Sequence, residues 1–91
     1  MHVTVQLPVT LRAFADNHDA AEVSGTTVAE VMDAVVRAYP KLKTHLFNDD
    51  GALRKFVNVY LNDEDIRYLK QAHTPVEDGD VITIVPAVAG E

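Results

Sequence analysis

The chain has no cysteine, which excludes disulfide bonds, thiolate metal ligands and a thiol nucleophile. It has only eight lysine and arginine residues against fourteen aspartate and glutamate residues, so its formal net charge is −6. Binding to nucleic acid needs clustered cations, and this balance argues against such a partner. No apolar run approaches the ~18–20 residues of a membrane-spanning helix, and no secretory signal is visible. We therefore expect a cytoplasmic protein that binds neither nucleic acid nor membrane.

Residue types that carry catalysis are scarce or scattered. Ser24 is the only serine and has no base paired with it in a local motif, so a hydrolytic triad has no support. The four histidines share no metal-binding spacing, and the four glycines form no phosphate-binding loop. The acidic run from Asn62 to Asp65 lacks the spacing of a calcium loop, and it indicates a surface turn or a docking patch for a basic partner. The residues predict no enzyme.

Hydrophobic periodicity predicts one folded domain over residues 1–86. Apolar and polar residues alternate over residues 2–7 and 56–61, and residues 81–85 form an apolar run; each predicts a strand. Residues 20–23 and 66–68 are candidates for shorter strands, and the first of these would form a hairpin with residues 2–7. Pro8 ends the first strand or marks its edge.

The strongest local signal is a helix in the first half of the chain. Thr27 and Glu30 fit a capping box, in which each side chain accepts a hydrogen bond from a backbone N–H at the helix start. Five apolar residues follow at the spacing of one helical face: Val28, Val31, Met32, Val35 and Val36. Pro40 ends this helix near Tyr39, and residues 41–47 are a candidate for another short helical turn.

The element order β-β-α-β-(β)-β predicts an α+β fold, the ubiquitin-like β-grasp, in which a mixed sheet packs on one main helix. The first and last strands of this fold pair in parallel at the centre, which needs the long crossover that the helix provides. The last strand would then lead out of the sheet into a flexible C-terminal tail, residues 87–91. The rival fold is a ferredoxin-like α+β sandwich, which needs a second full helix where only residues 41–47 are available.

The end of the sequence is the main candidate for a functional site. Small or apolar residues follow the last predicted strand, with no charge before the final position: Pro86, Ala87, Val88, Ala89, Gly90 and then Glu91. Glycine has no Cβ and lets a backbone approach closely, so such a tail suits insertion into a narrow pocket of another protein. Val81, Val85 and Val88 lie either in the core or on the strand face that points away from the helix, where they would bind a partner.

Two segments carry a family resemblance, FVNVYLNDEDIR at residues 56–67 and DGDVITIVPAVAG at residues 78–90. Together with the first strand, Leu11-Arg12 and the capped helix, they resemble the ThiS/MoaD family of small ubiquitin-like sulfur carriers. The likeness is greatest to the actinobacterial members that work with a pyridoxal-phosphate-dependent cysteine synthase. It extends over nearly the whole chain, and the D-G-D turn, apolar strand and small tail are specific only in combination.

This resemblance implies that the carboxylate of a C-terminal glycine is the working group. An E1-like adenylating and sulfurtransferase enzyme would activate that carboxylate with ATP, and sulfur would replace AMP to leave a thiocarboxylate. A cysteine synthase would take up the sulfur on an amino-acid intermediate held by its own pyridoxal phosphate, and a JAMM-type metalloprotease would release the product. The carrier itself would hold no cofactor. Two alternatives stay open: the small subunit of a molybdopterin synthase, and a binding module without covalent chemistry.

The chain departs from the family at position 91. Family members end in Gly-Gly, whereas this sequence has Gly90-Glu91. Glutamate would bring charge and bulk into a passage shaped for glycine, and an unpaired buried charge is costly. Three hypotheses follow. Glu91 is a substitution that disables or alters the carrier, or it is trimmed to expose Gly90, or the chain binds partners without carrying sulfur.

Overall fold

A mixed sheet covered on one face by a long helix forms the body of the protein in this computed structural model. The structure describes residues 2–51, 53 and 57–86, apart from the side chains of Ala72 and Pro86. Within those residues the strands are β1 (His2–Gln6), β2 (Ala20–Ser24), β3 (Val57–Leu61), β4 (Glu64–Asp65) and β5 (Val81–Pro86). Their order across the sheet is β2-β1-β5-β3-β4. β1 and β5 are parallel and the other neighbours are antiparallel, which confirms the predicted central parallel pair.

The main helix and the helical segment after it follow the prediction, whereas the other helical elements were not predicted. The helical elements are α1 (Val9–Arg12), α2 (Val28–Ala38), α3 (Lys43–Leu46) and the 3₁₀ turns Pro40–Leu42, Ile66–Tyr68 and Gln71–His73. The predicted end of the main helix is correct to within one residue, and residues 41–47 are confirmed as largely helical. No helix in the described ranges has the length and apolar character that a membrane span needs.

The prediction of a strand at residues 66–68 is wrong, because this segment is the 3₁₀ turn and the strand lies two residues earlier. The Asp65 carboxylate accepts a hydrogen bond from the Arg67 backbone N–H at 2.9 Å, which caps the turn. A carboxylate that binds the N–H two residues later favours a turn over a continuing strand. β4 therefore ends at Asp65.

The start of α2 differs from a simple capping box by one residue. Thr27 Oγ1 accepts a hydrogen bond from the Glu30 N–H at 3.2 Å, as predicted. Glu30 Oε1, however, accepts from the N–H and the hydroxyl of Thr26, at 2.9 and 2.8 Å, and not from Thr27. The Thr26 N–H, and after it the Thr26 hydroxyl, hold the pKa of Glu30 below its ordinary value. The cap thus joins the loop before the helix to its first turn.

The core lies between the sheet and α2. Its largest fully buried side chains come from strands β1, β5 and β3, from the predicted apolar face of α2 and from the helical segment that follows: Val3, Val5, Ile82, Ile84, Val59, Val28, Val31, Met32, Val35, Leu42 and Leu46. Burying one such side chain stabilises the fold by roughly 1.5–3 kcal/mol relative to leaving it exposed. The first and last strands therefore share one apolar layer with the helix that connects them.

Gly25 sets how closely α2 approaches the end of β2. A Cβ placed on Gly25 would lie 2.9 Å from Val31 Cγ2, 3.0 Å from the Val31 backbone nitrogen and 3.1 Å from the Glu30 Cβ. Two of these atoms belong to the helix backbone or to a Cβ, which cannot rotate away. The absence of a side chain at this position is required by the packing of the helix start.

We expect Gly25→Ala to lower the free energy of unfolding by about 1–3 kcal/mol, because the first turn of α2 has to shift to admit the methyl group. Urea-induced unfolding followed by circular dichroism measures the change. Ser24→Ala, at the exposed neighbouring position, is the control and should unfold like the wild type. If Gly25→Ala and wild type are equally stable, the packing of α2 against position 25 does not require glycine.

Candidate functional site

β5 is the strand that leads into the predicted tail. Its residues 81–83 pair with Thr4, Val5 and Gln6 of β1, and its residues 82–86 pair with β3. Pro86, which we call the chain exit because residues 87–91 follow it in the sequence, pairs with Val57, the first residue of β3. Five of the predicted site residues lie outside the described residues: Ala87, Val88, Ala89, Gly90 and Glu91. Their role as a flexible, activated tail stays a prediction.

The opposite end of β5 is tied to the turn between β3 and β4. The Asn62 N–H donates to the Val81 carbonyl at 2.7 Å, and the Val81 N–H donates to Asn62 Oδ1 at 3.1 Å. Asn62 Nδ2 also donates to Asp80 Oδ1 at 3.3 Å. Asn62 has a φ of 57°, a left-handed conformation that asparagine tolerates better than most residues. These bonds hold the start of β5 in place against the turn between β3 and β4.

The two faces of β5 differ in burial. Ile82 and Ile84 point towards α2 and are buried. Val81, Thr83 and Val85 form the opposite face, which we call the β5 outer face: Val85 is 40% exposed, whereas Val81 and Thr83 are half-buried. The Thr83 hydroxyl donates to Gln6 Oε1 at 3.3 Å across the β1 pairing. Of the two described valines predicted to bind a partner, Val85 offers the larger apolar surface.

The sequence did not predict an ion pair between the nearly buried Asp65 carboxylate and the Arg67 side chain, which is 63% exposed. Asp65 is 8% exposed and is paired with Arg67, whose Nη2 lies 2.7 Å from Asp65 Oδ2 and whose Nε lies 3.1 Å from the same oxygen. Side-chain hydrogen bonds from Arg67, followed by its backbone N–H, lower the pKa of the Asp65 carboxyl. The signal in the sequence was an aspartate directly before an apolar residue, with an arginine two positions later. This pair fixes β4, the edge strand next to Tyr60.

Two histidine side chains contact aromatic rings that are distant in the sequence. His18 Nδ1 and the Tyr39 hydroxyl lie 2.9 Å apart, and His45 stacks on Phe14 with ring centroids 4.0 Å apart. Over residues 2–51, 53 and 57–86, no three histidine or carboxylate side chains come together as a metal site. Among the described residues, the surface next to Pro86 consists of the β5 outer face and its polar neighbours.

The Asp65–Arg67 pair predicts a pH dependence of stability. Because the pKa of Asp65 is lowered in the folded protein, the ionised carboxylate stabilises the fold above its ordinary value of 3.8, and this contribution disappears as the pH falls through the lowered value. Asp65→Asn should therefore be less stable than wild type at neutral pH, with the difference shrinking in acid. Urea unfolding at a series of pH values measures it. Asp63→Asn, at an exposed position two residues earlier, is the control. If the difference in stability between Asp65→Asn and wild type is the same at all pH values, the prediction is wrong.

Comparison with known proteins assigns the chain to a family. The model of the ThiS family matches residues 5–90. Sulfur carrier protein CysO of Mycobacterium tuberculosis is 38% identical over 92 residues, which cover 99% of this chain and 99% of that protein. The region that matches the family model, residues 5–90, contains every predicted site residue except Glu91.

Solved structures give the same result. A chain in the crystal structure of the Amycolatopsis orientalis BexX/CysO complex has a TM-score of 0.89 and 40% identity, covering 98% of this chain and 99% of that chain. The crystal structure of Mycobacterium tuberculosis CysO has a TM-score of 0.86 and 36% identity, covering 94% of this chain and 99% of that chain. The predicted ubiquitin-like β-grasp is confirmed. Sequence and fold agree over almost the whole length, and the chain belongs to the ThiS family.

Proposed function

We propose that the protein is a sulfur carrier of the CysO type, whose Gly90 carboxyl group is adenylated and converted to a thiocarboxylate for cysteine biosynthesis. Similarity to CysO over 99% of the chain is the observation that supports this most. The geometry of β5 also supports it, because this central strand is fixed at its start by Asn62 and directly precedes the proposed tail in the sequence. A rigid body that extends its own carboxyl end suits chemistry carried out inside other proteins.

The proposed chemistry follows from the weakness of a carboxylate as an electrophile. An oxygen of the Gly90 carboxylate attacks the α-phosphorus of ATP and pyrophosphate leaves, which gives an acyl-adenylate. A sulfide sulfur from a donor then attacks the acyl carbon and AMP leaves, so one carbon–oxygen bond is replaced by a carbon–sulfur bond. The resulting thiocarboxylate is ionised at neutral pH and is a strong nucleophile. An E1-like adenylating and sulfurtransferase enzyme supplies the ATP site, so the carrier itself needs no cofactor.

The acceptor in this proposal is a pyridoxal-phosphate-dependent cysteine synthase. Pyridoxal phosphate belongs to that partner and supplies the electrophilic amino-acid acceptor. After the sulfur has added, an acyl shift from sulfur to the amino nitrogen leaves a cysteine joined to Gly90 by a peptide bond. A JAMM-type metalloprotease hydrolyses that bond and returns the carrier with a free Gly90 carboxylate.

Glu91 requires one further step. Only a free carboxyl group on Gly90 can be adenylated, so the peptide bond between Gly90 and Glu91 has to be hydrolysed first. The proposal therefore adopts trimming among the three hypotheses for position 91. The second candidate function, a ubiquitin-like binding module without covalent chemistry, is favoured by Glu91 itself, because its charge and bulk differ from those of glycine. The small subunit of molybdopterin synthase would use the same chemistry with a different acceptor enzyme.

Intact-mass spectrometry tests the carrier function. A variant that ends at Gly90, incubated with the activating enzyme, ATP and a sulfide donor, should gain the mass difference between one sulfur and one oxygen atom. The full sequence should show this exchange only after Glu91 has been removed, and a reaction without ATP is the control. Absence of exchange in the variant ending at Gly90 would contradict the carrier function. Exchange with Glu91 still attached would contradict trimming alone, and capture of the acceptor enzyme separates cysteine synthase from molybdopterin synthase.

The β5 outer face gives a second test. We expect Val85→Asp to weaken binding to the activating enzyme, because it places a charge on the exposed apolar residue nearest the chain exit. Its effect on the free energy of unfolding should stay within about 1 kcal/mol, the range of strand propensities. Tyr68→Asp is the matched control, since Tyr68 is 85% exposed but follows β4 at the sheet edge. Isothermal titration calorimetry compares the two, and equal affinities would exclude the β5 outer face from the interface.

A further inference from the structure

β5 loses one of its two neighbouring strands before it ends. Its pairing with β1 stops at Gln6 and Thr83, whereas its pairing with β3 continues to Val57 and Pro86. Among the described residues, positions 84–86 therefore have a strand partner on one side only. The open side is the side on which β1 no longer pairs with β5. It directly precedes residues 87–90, which the proposed function places inside partner enzymes.

Two hydrogen bonds show which backbone groups face the open side. The Thr4 N–H donates to the Asp80 carbonyl at 3.1 Å, on the β1 side. The Asn62 N–H donates to the Val81 carbonyl at 2.7 Å, on the β3 side. The N–H and C=O of a strand residue point to the same side, and the side alternates along the strand. The open side therefore carries the backbone groups of Ile84 and Pro86.

Proline removes the donors from this edge, because its backbone nitrogen has no hydrogen. If the parallel pairing of β1 and β5 continued in the same register, the N–H of residue 8 would bind the Ile84 carbonyl. Residue 8 is proline and has no such N–H. The Pro8 carbonyl already accepts from the Leu11 N–H at 3.0 Å. Pro86 has no N–H to offer, and the register directs the Ile84 N–H at the Gln6 carbonyl. Among the described residues, the edge presents the carbonyl oxygens of Ile84 and Pro86 as acceptors without adjacent donors.

We propose that these two carbonyls form an acceptor-only edge that binds N–H donors of the activating enzyme when it takes up the tail. The inference rests on the proposed function, because that enzyme has to enclose the residues directly after Pro86. A carbonyl buried in an interface without a donor is costly, so the enclosing surface has to supply one for each oxygen. The two oxygens are about 7 Å apart, two residues of strand rise. Backbone amides or asparagine and arginine side chains at that spacing are the complementary groups.

The same chemistry excludes one competing occupant. An ordinary strand edge carries both donors and acceptors and pairs readily with a copy of itself. Two acceptor-only edges cannot pair with each other, since each oxygen would face another oxygen. The edge therefore favours a partner rich in N–H donors over symmetric pairing of two carriers.

Nuclear magnetic resonance of the isotope-labelled full chain tests the edge directly. In the free protein, couplings across hydrogen bonds should connect the Ile84 nitrogen to the Gln6 carbonyl, and none should reach the Ile84 carbonyl. Titration with the unlabelled activating enzyme should shift the carbonyl carbon resonances of Ile84 and Pro86 in the direction of hydrogen-bond formation. The Val85 carbonyl, which faces β3, is the internal control. A coupling into the Ile84 carbonyl of the free protein would overturn the proposal.

A proline substitution tests the same edge by affinity. Pro8→Ala supplies an N–H at the position where the ladder meets the Ile84 carbonyl, so that one acceptor becomes occupied within the chain. We expect the dissociation constant for the activating enzyme to rise about three- to tenfold, the worth of one hydrogen bond. Pro40→Ala is the matched control, because Pro40 begins a 3₁₀ turn outside this edge, and its dissociation constant should equal that of wild type.

The outcomes separate the two proposals. If sulfur exchange proceeds but Pro8→Ala binds like wild type and the Ile84 and Pro86 carbonyl resonances do not move, the docking role of the edge is wrong and the carrier function stands. If the activating enzyme binds neither the full chain nor the variant ending at Gly90, both proposals fall.

Discussion

The parallel pairing of the first and last strands is the constraint on which the rest of the structure depends. A parallel pair cannot be closed by a hairpin, so everything between Gln6 and Val81 has to act as one long crossover. α2 covers the sheet because Val3 and Val5 of one strand and Ile82 and Ile84 of the other form a single apolar layer. Without this pairing, β5 would not be central, and Pro86 would have no fixed position in the sheet.

Polar interactions hold the two ends of β5 in different ways. At its start, Asn62 binds both the N–H and the carbonyl of Val81, so backbone and side chain act together. At its other end, prolines at positions 8 and 86 leave carbonyl groups directed at the side that β1 has left. The start of the strand is thus hydrogen-bonded within the protein, whereas the proposed acceptor-only edge at its other end would bind donors of a partner enzyme. This asymmetry matches a protein whose partners act at its carboxyl end.

Local signals in the sequence predicted the elements whose determinants are neighbours along the chain. The limits of α2 follow from Thr27, the apolar stripe and Pro40, all of which act within a few residues. The parallel pairing of the first and last strands was predicted from the long crossover that the helix provides. What failed depended on side-chain geometry. The sequence did not show that Asp65 would cap a turn, or that Glu30 would bind Thr26 instead of Thr27.

The candidate site was predictable in part. The outward direction of Val85 follows from strand alternation, but its degree of exposure depends on how the flanking strands twist and fill the sheet. The Asp65–Arg67 pair was missed because a carboxylate in an acidic run is normally solvated, and only the fold makes it nearly buried. The acceptor-only edge depends on the register between β1 and β5, which places two distant prolines at one edge. Register is a property of the assembled sheet and is not visible in either strand alone.

The parallel direction of β1 and β5 also separates His2 from Pro86. The His2 carbonyl accepts from the Gly79 N–H at 2.8 Å, so the amino-terminal end lies beside the turn that precedes β5. The six residues of β5 span about 20 Å at the usual rise per residue. An affinity tag, a fluorophore or a solid support attached ahead of His2 is therefore held a full strand length from Pro86, and an immobilised carrier keeps its opposite pole accessible to enzymes in solution.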